Sequence, residues 1–356
     1  MFAIISFNVV IFLLLLIGSI FVGNLNNFDQ KFFKHIISVL LGLGVYVLIS
    51  LGIIRVNGLV KYSPYIWLFS FFIIVINLFI GTEVNGSKAW IYVGNFSFQP
   101  AELSKLSLVL LLAWLINIVE NRVLFFLICL GLAGLTALPI FLQPDLGFTI
   151  LLFFSSLITS YLVGVNGLII LFFLSVSIFV GGLVMKPYQL ERLITFLDPY
   201  RDPLGSGWQT IQSVNCVING GLFGNGIGKG MISRLGFLPE KDTDFIFSVI
   251  CEDMGLLGAI FIMFLFMILL FLMIWVYGFV RKMDEKVMVA FVFSVIFVQS
   301  FINIGMNTMS APVTGLPLPL ISYGGTNMVI TLFLLGIVNE IMIRNLEFRK
   351  IEKWIY

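Results

Sequence analysis

The stretch Phe237 to Gly255, FLPEKDTDFIFSVICEDMG, gathers five acidic residues where a polar segment runs into a strongly apolar one: Glu240, Asp242, Asp244, Glu252 and Asp253. A carboxylate at such a border either caps a helix or takes a proton in a cavity at a membrane surface. Asp244 directly precedes the apolar FIFSVI, so it or Thr243 reads first as the cap of the helix that follows. Glu252 lies about 12 Å further along that helix axis and within about 80° of Asp244 around it, so both can face one cavity.

Two more sites carry charge at the mouth of an apolar run. Glu102 and Lys105 open QPAELSKLSLVLLLAW, and residues three apart share a helix face and can pair. The pair is either structural or a polar wall that offers Lys105 to an anionic ligand. A charge within a span costs about 2.5–3.5 kcal/mol on insertion scales, so each needs such a reason. Asp145, in QPDLGFTILLF, reads as a helix N-cap. The glycines of GGLFGNGIGKG do not match GxxxxGK[ST], which leaves nucleotide binding without support. The chain has one histidine, His35, so a His-based metal site or a Ser-His-Asp triad would depend on it. Cys129, Cys216 and Cys251 form an odd set without CxxC spacing, and no disulfide framework is expected.

The elements that must position these groups are membrane helices. The chain is 60% hydrophobic with 11% charged residues and a mean hydropathy of +1.11, against roughly 25% charged in soluble domains. Apolar runs at 4–22, 36–54, 64–81, 101–118, 123–141, 147–163, 167–185, 245–277, 288–308 and 323–343 each approach the length of a span. The first lacks the basic start and small-residue cleavage site of a signal peptide and is kept as a span. The fold expected is an all-α polytopic membrane protein of about ten helices, one domain over 1–356. The 245–277 run exceeds a bilayer's need and is expected to tilt or project.

Short connections on one side carry Arg55, Lys61, Arg122, Arg281, Lys282, Lys286, Arg344, Arg349, Lys350 and Lys353, against Lys31, Lys34 and Lys88 on the other. By the positive-inside rule both termini are cytoplasmic. The long connection 186–244, between helices 7 and 8, is then extracytoplasmic, and it is expected to be partly helical and amphipathic. Its six basic and six acidic residues make no polybasic anchor. Neither a nucleic-acid-binding cluster nor an internal repeat of the kind seen in transporters is present. The elaborate connections, 82–100, 186–244 and 309–322, all fall on the outer side.

The block PE-xx-TDFIFS-xxx-E-xx-G-xx-G from Pro239 to Gly258 resembles the hallmark of the SEDS proteins (shape, elongation, division and sporulation). NGSKAWIYVGNFSFQPAELSKL (85–106), QPDLG (143–147), RLITFLDP (192–199), WQTIQSVNCVINGGLFGNGIGKG (208–230) and GLPLPLISYGG (315–325) follow in the expected order. The chain departs from the pattern at Asp253, where a second glutamate is usual, and in its loop lysines.

The resemblance implies a peptidoglycan glycosyltransferase of the bacterial cytoplasmic membrane. It would polymerise lipid II at the outer face and release undecaprenyl pyrophosphate. It places the catalytic aspartate at Asp244 and draws Glu102, Lys105 and Asp145 into the substrate cavity; Thr243 is a further substrate-site candidate, with Glu240 and Glu252 as its supports. Arg192, Arg201 and Lys229 are phosphate-contact candidates on charge and position. A divalent cation, Mg or Mn, is the expected cofactor. Lipid II, a class B penicillin-binding protein transpeptidase and other cell-elongation proteins are the expected partners. The short N-terminus, the length and GMNTMSAPVTGLPLP favour the RodA-like elongation branch over the FtsW-like division branch. Two other classes remain open: a flippase for a lipid-linked precursor, and a scaffold for a partner enzyme.

Overall fold

The structure is a computed structural model that describes residues 2–84, 86–94, 96–184 and 187–355. Asn85 and Asn95 of the 85–106 block, and Lys186 at the expected start of the long connection, lie outside the described residues.

In chain order the helices are α1 (Phe2–Leu25), α2 (Gln30–Ser50), the short α3 (Val56–Lys61), α4 (Ser63–Ile80), α5 (Glu102–Leu115), α6 (Arg122–Leu142), α7 (Leu146–Leu162) and α8 (Gly167–Val184). The long connection follows as α9 (Pro187–Leu197), a 3-10 turn at Pro199–Arg201, α10 (Trp208–Gly220) and α11 (Met231–Arg234). The chain closes with α12 (Ile246–Phe279), α13 (Met283–Asn307) and α14 (Gly325–Ile355). Among the described residues, seven helices are long and apolar enough to cross a membrane: α1, α2, α4, α6, α12, α13 and the Gly325–Glu347 part of α14. The shorter α7, α8 and α5 take the remaining apolar runs. Starts follow local chemistry, as when Asn121 accepts the amides of Val123 and Leu124 at the head of α6. α13 and α14 are the most enclosed of the seven, with 72% of an 18-residue window buried in each. Between helices in lipid it is packing and hydrogen bonding that hold such a centre, since lipid tails are as apolar as leucine.

The all-α membrane fold is borne out, and it carries one small antiparallel sheet of β1 (Thr82–Val84), β2 (Ser87–Val93) and β3 (Phe96–Phe98). Ile91 pairs with Phe98 and Val93 with Phe96. The β-rich SKAWIYV next to an Asn-Gly pair is a hairpin signal in the sequence itself.

The surplus length of α12 is resolved by a break rather than a tilt. Gly255 sits inside the helix at φ 68°, ψ −166°, a region that is essentially glycine's alone. A break would orphan the amides of residues 256 and 257 and the carbonyls of 252 and 253, and in lipid each orphan is costly. All four are satisfied by the segment 221–226. Leu256 N donates to Gly221 O at 2.9 Å and Leu257 N to Leu222 O at 3.2 Å, while Asn225 N and Gly226 N donate to the carbonyls of Glu252 and Asp253 at 3.0 and 2.9 Å. From Leu256 to Phe279 the helix rises about 36 Å, enough alone for a hydrocarbon core of about 30 Å. The part before the break returns to the end of α13, where Ser248 N donates to Asn307 Oδ1 at 2.9 Å.

Gly255→Ala should therefore lower the thermal unfolding midpoint in detergent. It places a side chain at positive φ, worth about 1–3 kcal/mol, and drives a Cβ into the backbone of Leu222 and Gly224. An unchanged midpoint would show that the break does not need glycine.

Candidate functional site

Asp244 stands in a tight turn that leads into α12. Glu240 takes a left-handed backbone (φ 50°), and its carbonyl accepts Thr243 N at 3.2 Å and Phe245 N at 3.1 Å. Thr243 Oγ1 also reaches Glu240 Oε2 at 3.0 Å. Glu240 and Thr243 thus build the turn that displays Asp244. Asp244 is not the helix cap. The N-cap position is Phe245, without a side-chain cap, and the amide of Ser248, which also reaches Phe245 O, donates to Asn307 Oδ1 from α13.

Three successive carbonyls of the turn are held by the chain between 303 and 323. That of Asp242 accepts Tyr323 N at 2.8 Å, that of Thr243 accepts Ser322 Oγ at 2.5 Å, and that of Asp244 accepts Asn303 Nδ2 and Asn307 Nδ2, each at 2.9 Å. Asp242 is fixed from the α1–α2 side by Lys31 Nζ at 3.2 Å and Asn26 Nδ2 at 3.3 Å. This pairing explains why Lys31 sits on the side where the charge count disfavours lysine.

The Asp244 carboxylate itself is half-buried and accepts no hydrogen bond among the described residues. A Cβ placed at Gly315 would lie 3.5 Å from its Oδ2, so the glycine keeps that approach open. Burial, then the negative charges of Glu240, Asp145 and Asp242, push the carboxyl up to about 7, with the Arg192 guanidinium opposing them.

Asp145 is the N-cap of α7 and accepts Phe148 N at 3.0 Å, as its sequence context suggests. Its second oxygen takes Gln99 Nε2 at 3.3 Å. Burial raises it to about 6, against the Phe148 amide and Arg192, and Glu102 adds to the rise. Arg192, on α9, is the cation shared by Asp145 and Asp244, and its Nη1 touches Val313 O at 3.5 Å. It lines a cavity of about 530 Å³ together with Pro144, Thr195, Gln209, Thr210 and Val313.

Glu102 and Lys105 form an ion pair at 2.6 Å, both fully buried. Lys105 Nζ also donates to Gln299 Oε1 and Asn327 Oδ1, each at 3.2 Å, and lies 5.2 Å from the Phe148 ring centroid. Lys105 is thus not offered to a ligand: its donors are spent joining α5, α13 and α14. Glu252 does not face the Asp244 carboxylate. Its carboxylate is buried and accepts Asn219 Nδ2, Ile232 N and Ser233 N at 2.8–3.0 Å. Asp253 does the same with Gly228 N and Gly230 N at 2.7 and 2.9 Å. Together they bracket the long connection. Lys229 is exposed on that bracketed loop. Arg201 is exposed beside Asp198 and Asp202 on a second cavity, of about 350 Å³. Neither is brought to Asp244. No three His, Cys, Asp or Glu side chains among the described residues converge as a metal-ligating set.

Gln299, Asn303 and Asn307 were passed over inside an apolar run. Their spacing of four along α13 is the signal that could have found them, since three amides on one helix face in lipid demand partners.

A family model for cell cycle proteins of the FtsW, RodA and SpoVE group matches residues 1–346. The chain belongs to this family, the SEDS proteins. Stage V sporulation protein E of Bacillus subtilis is 33% identical over 93% of this chain and 94% of its own length. Peptidoglycan glycosyltransferase MrdB of Escherichia coli is 33% identical over 85% and 83%. Relatives named FtsW match at 33–35%, so identity does not sort this SEDS protein into a branch. A chain from a structure described as the coordination of polymerization and crosslinking by a peptidoglycan synthase complex superposes with a TM-score of 0.81, at 28% identity over 95% and 97% of the two chains. Thermus thermophilus RodA shares the fold, with a TM-score of 0.72 at 24% identity over 95% and 96%.

Asp244→Asn should raise thermal stability at pH 8. The folded chain holds the Asp244 proton up to about pH 7, whereas an ordinary aspartate releases it near 3.8. Ionisation therefore opposes folding increasingly as pH rises across that window. The midpoint gap between the variant and the parent should shrink as pH falls below that window, and a gap that does not vary with pH would contradict the assigned environment.

Proposed function

We infer that this SEDS protein is a peptidoglycan glycosyltransferase that polymerises lipid II, with Asp244 as general base. The observation that carries the reading is a carboxylate fixed rigidly through its backbone yet accepting no hydrogen bond, held near neutrality beside one guanidinium. The names of its relatives supply the substrate class, and residues 239–258 carry the family pattern around that carboxylate.

In this reading Asp244 takes the proton of the acceptor's sugar hydroxyl as that oxygen attacks the donor's anomeric carbon. The bond from that carbon to the pyrophosphate oxygen breaks with inversion, and undecaprenyl pyrophosphate leaves. A base whose pKa lies near the working pH combines availability with driving force. Arg192 lies between Asp145 and Asp244 electrostatically and is the residue placed to meet the charge that develops on the leaving group. Asp145 and Gln99 hold the mouth of α7 beside it. A divalent cation enters the proposal only as a companion of the donor pyrophosphate, and no step is routed through it.

Asp244→Asn in purified protein should cut glycan-strand synthesis from lipid II by about 10²-fold or more, and Arg192→Ala should weaken the same step. The parent rate should rise with pH through about 7 as Asp244 ionises. Undiminished polymerisation by Asp244→Asn sinks the assignment.

The Asp244 end is proposed to face outward, with both termini cytoplasmic in a bacterial cytoplasmic membrane. Arg55, Lys61, Arg122, Arg281, Lys282, Lys286 and Arg344 fall on or near the connections at the other end, several of them within the adjoining helices. The three native cysteines are buried, so a cysteine at exposed Asp198 should react with a membrane-impermeant maleimide on intact cells. Labelling only after lysis would reverse the orientation. A class B penicillin-binding protein is the proposed partner, supported by the neighbour's description as a complex that coordinates polymerisation with crosslinking; other cell-elongation proteins remain an expectation of the elongation-branch reading.

A further inference from the structure

The connection that brackets α12 is turned inside out for a water-facing loop. Between 218 and 235 it exposes Ile218, Leu222, Phe223, Ile227, Met231 and Leu235, at 49–79% of their surfaces. Most of its backbone amides are closed off instead. The amides of Gly224, Asn225, Gly226 and Lys229 are bonded to backbone carbonyls, and those of Gly228, Gly230, Ile232 and Ser233 to the carboxylates of Asp253 and Glu252. Water can satisfy loop amides cheaply and hydrocarbon cannot, so a backbone this closed to solvent is what a lipid contact requires. A contiguous apolar surface of this kind marks an interaction site.

Two observations say what covers it. The first is continuity. Gly221 and Leu222 are bonded through their carbonyls to Leu256 N and Leu257 N, and Leu256, Leu257, Ile260, Phe261 and Phe264 run on as the exposed apolar face of a membrane-spanning helix. The second is depth. The helix from Leu256 to Phe279 alone matches the hydrocarbon thickness, so its first residues, and the loop bonded to them, lie at the boundary. Lys229 and Arg234, both exposed on the same segment, are long enough to carry their charges back to lipid headgroups.

We propose that residues 218–235 form an interfacial wedge whose apolar side chains enter the lipid leaflet at the Asp244 end, hung at fixed depth from the break in α12. The partner is the bilayer itself. The wedge sets the height of the loop that carries α10, and with it one wall of the Arg192 cavity, relative to the headgroups of a lipid-linked substrate. The membrane insertion stands on the fold alone; only its bearing on the substrate's height rests on the glycosyltransferase reading.

The test uses the full chain in nanodiscs of phosphatidylethanolamine and phosphatidylglycerol, with a nitroxide on Phe223→Cys, on Leu257→Cys as a reference in the lipid belt, and on Asp198→Cys as a reference in water. All three positions are exposed, so labelling leaves the core intact. The expected result is that collisions with dissolved oxygen outweigh those with a nickel chelate at 223, as at 257, with the reverse at 198. A label at 223 that behaves as at 198 places the segment in water. One shielded from both reagents places it under protein, as a partner or a second copy would. Either result overturns the wedge.

Discussion

Three consecutive carbonyls, at 242, 243 and 244, each accept a hydrogen bond from the chain between 303 and 323, and the candidate site depends on that constraint. A carboxylate that acts as a base must be held in place without being neutralised or occupied. Fixing it through its own side chain would spend the acceptor that the reaction uses. Here the backbone is held and the side chain is left unbonded. Asn303 and Asn307 are effective in this role because both are buried in α13, where an unpaired amide is costly and the bonded arrangement is strongly preferred. Asn303 also donates to Leu316 O at 2.7 Å, so one side chain ties the turn to the 309–322 segment that faces it.

The break at Gly255 is the counterpart of this constraint on the other side of the turn. A helix that continued straight from Leu256 would carry Asp244 about 18 Å beyond the level of residue 256, away from Asn303 and Asn307. Bending there keeps the turn level with the end of α13 and opens four backbone valences, which the segment 221–226 fills. The glycine-rich sequence and the E-D-x-G of α12 are thus two halves of one structure. The carboxylates of Glu252 and Asp253 finish it by closing loop amides further along.

Much of this was legible in the sequence, and what was missed has physical reasons. Helix existence followed from apolar runs, and Asp145 behaved as its short-range context suggests because capping is local. Asp244 looked like a cap by the same local rule and is not one. Its replacement, Asn307, comes from a helix nearly sixty residues later, and no local pattern encodes that. Glu252 was assigned to the cavity from helical phase, yet Asp244 stands in the turn before α12, where that phase does not apply, and the Glu252 carboxylate is taken by the amides of the long connection. Lys229 and Arg201 were chosen for charge in a segment whose path periodicity does not fix. Lys105 was read correctly as a partner of Glu102, while its full burial depended on Gln299 and Asn327 arriving from two other helices.

The distribution of charge then separates structure from chemistry. Lys105 is buried in the bundle with its Nζ contacts all internal, and taking such a group out of water is repaid only by complete pairing. It serves to hold α5, α13 and α14 in register, which places Phe148 and the mouth of α7 beside Asp145. Arg192 sits differently, on the amphipathic α9 with one long contact to a carbonyl and a cavity in front of it. Burial, helped by neighbouring carboxylates, lifts both Asp145 and Asp244 above their ordinary range, and the one guanidinium they share only partly opposes it. An arriving pyrophosphate would compete for the same guanidinium, and drawing it away raises the basicity of Asp244 at the moment the donor is bound. In the proposed reaction, donor binding and base strength would be coupled through Arg192.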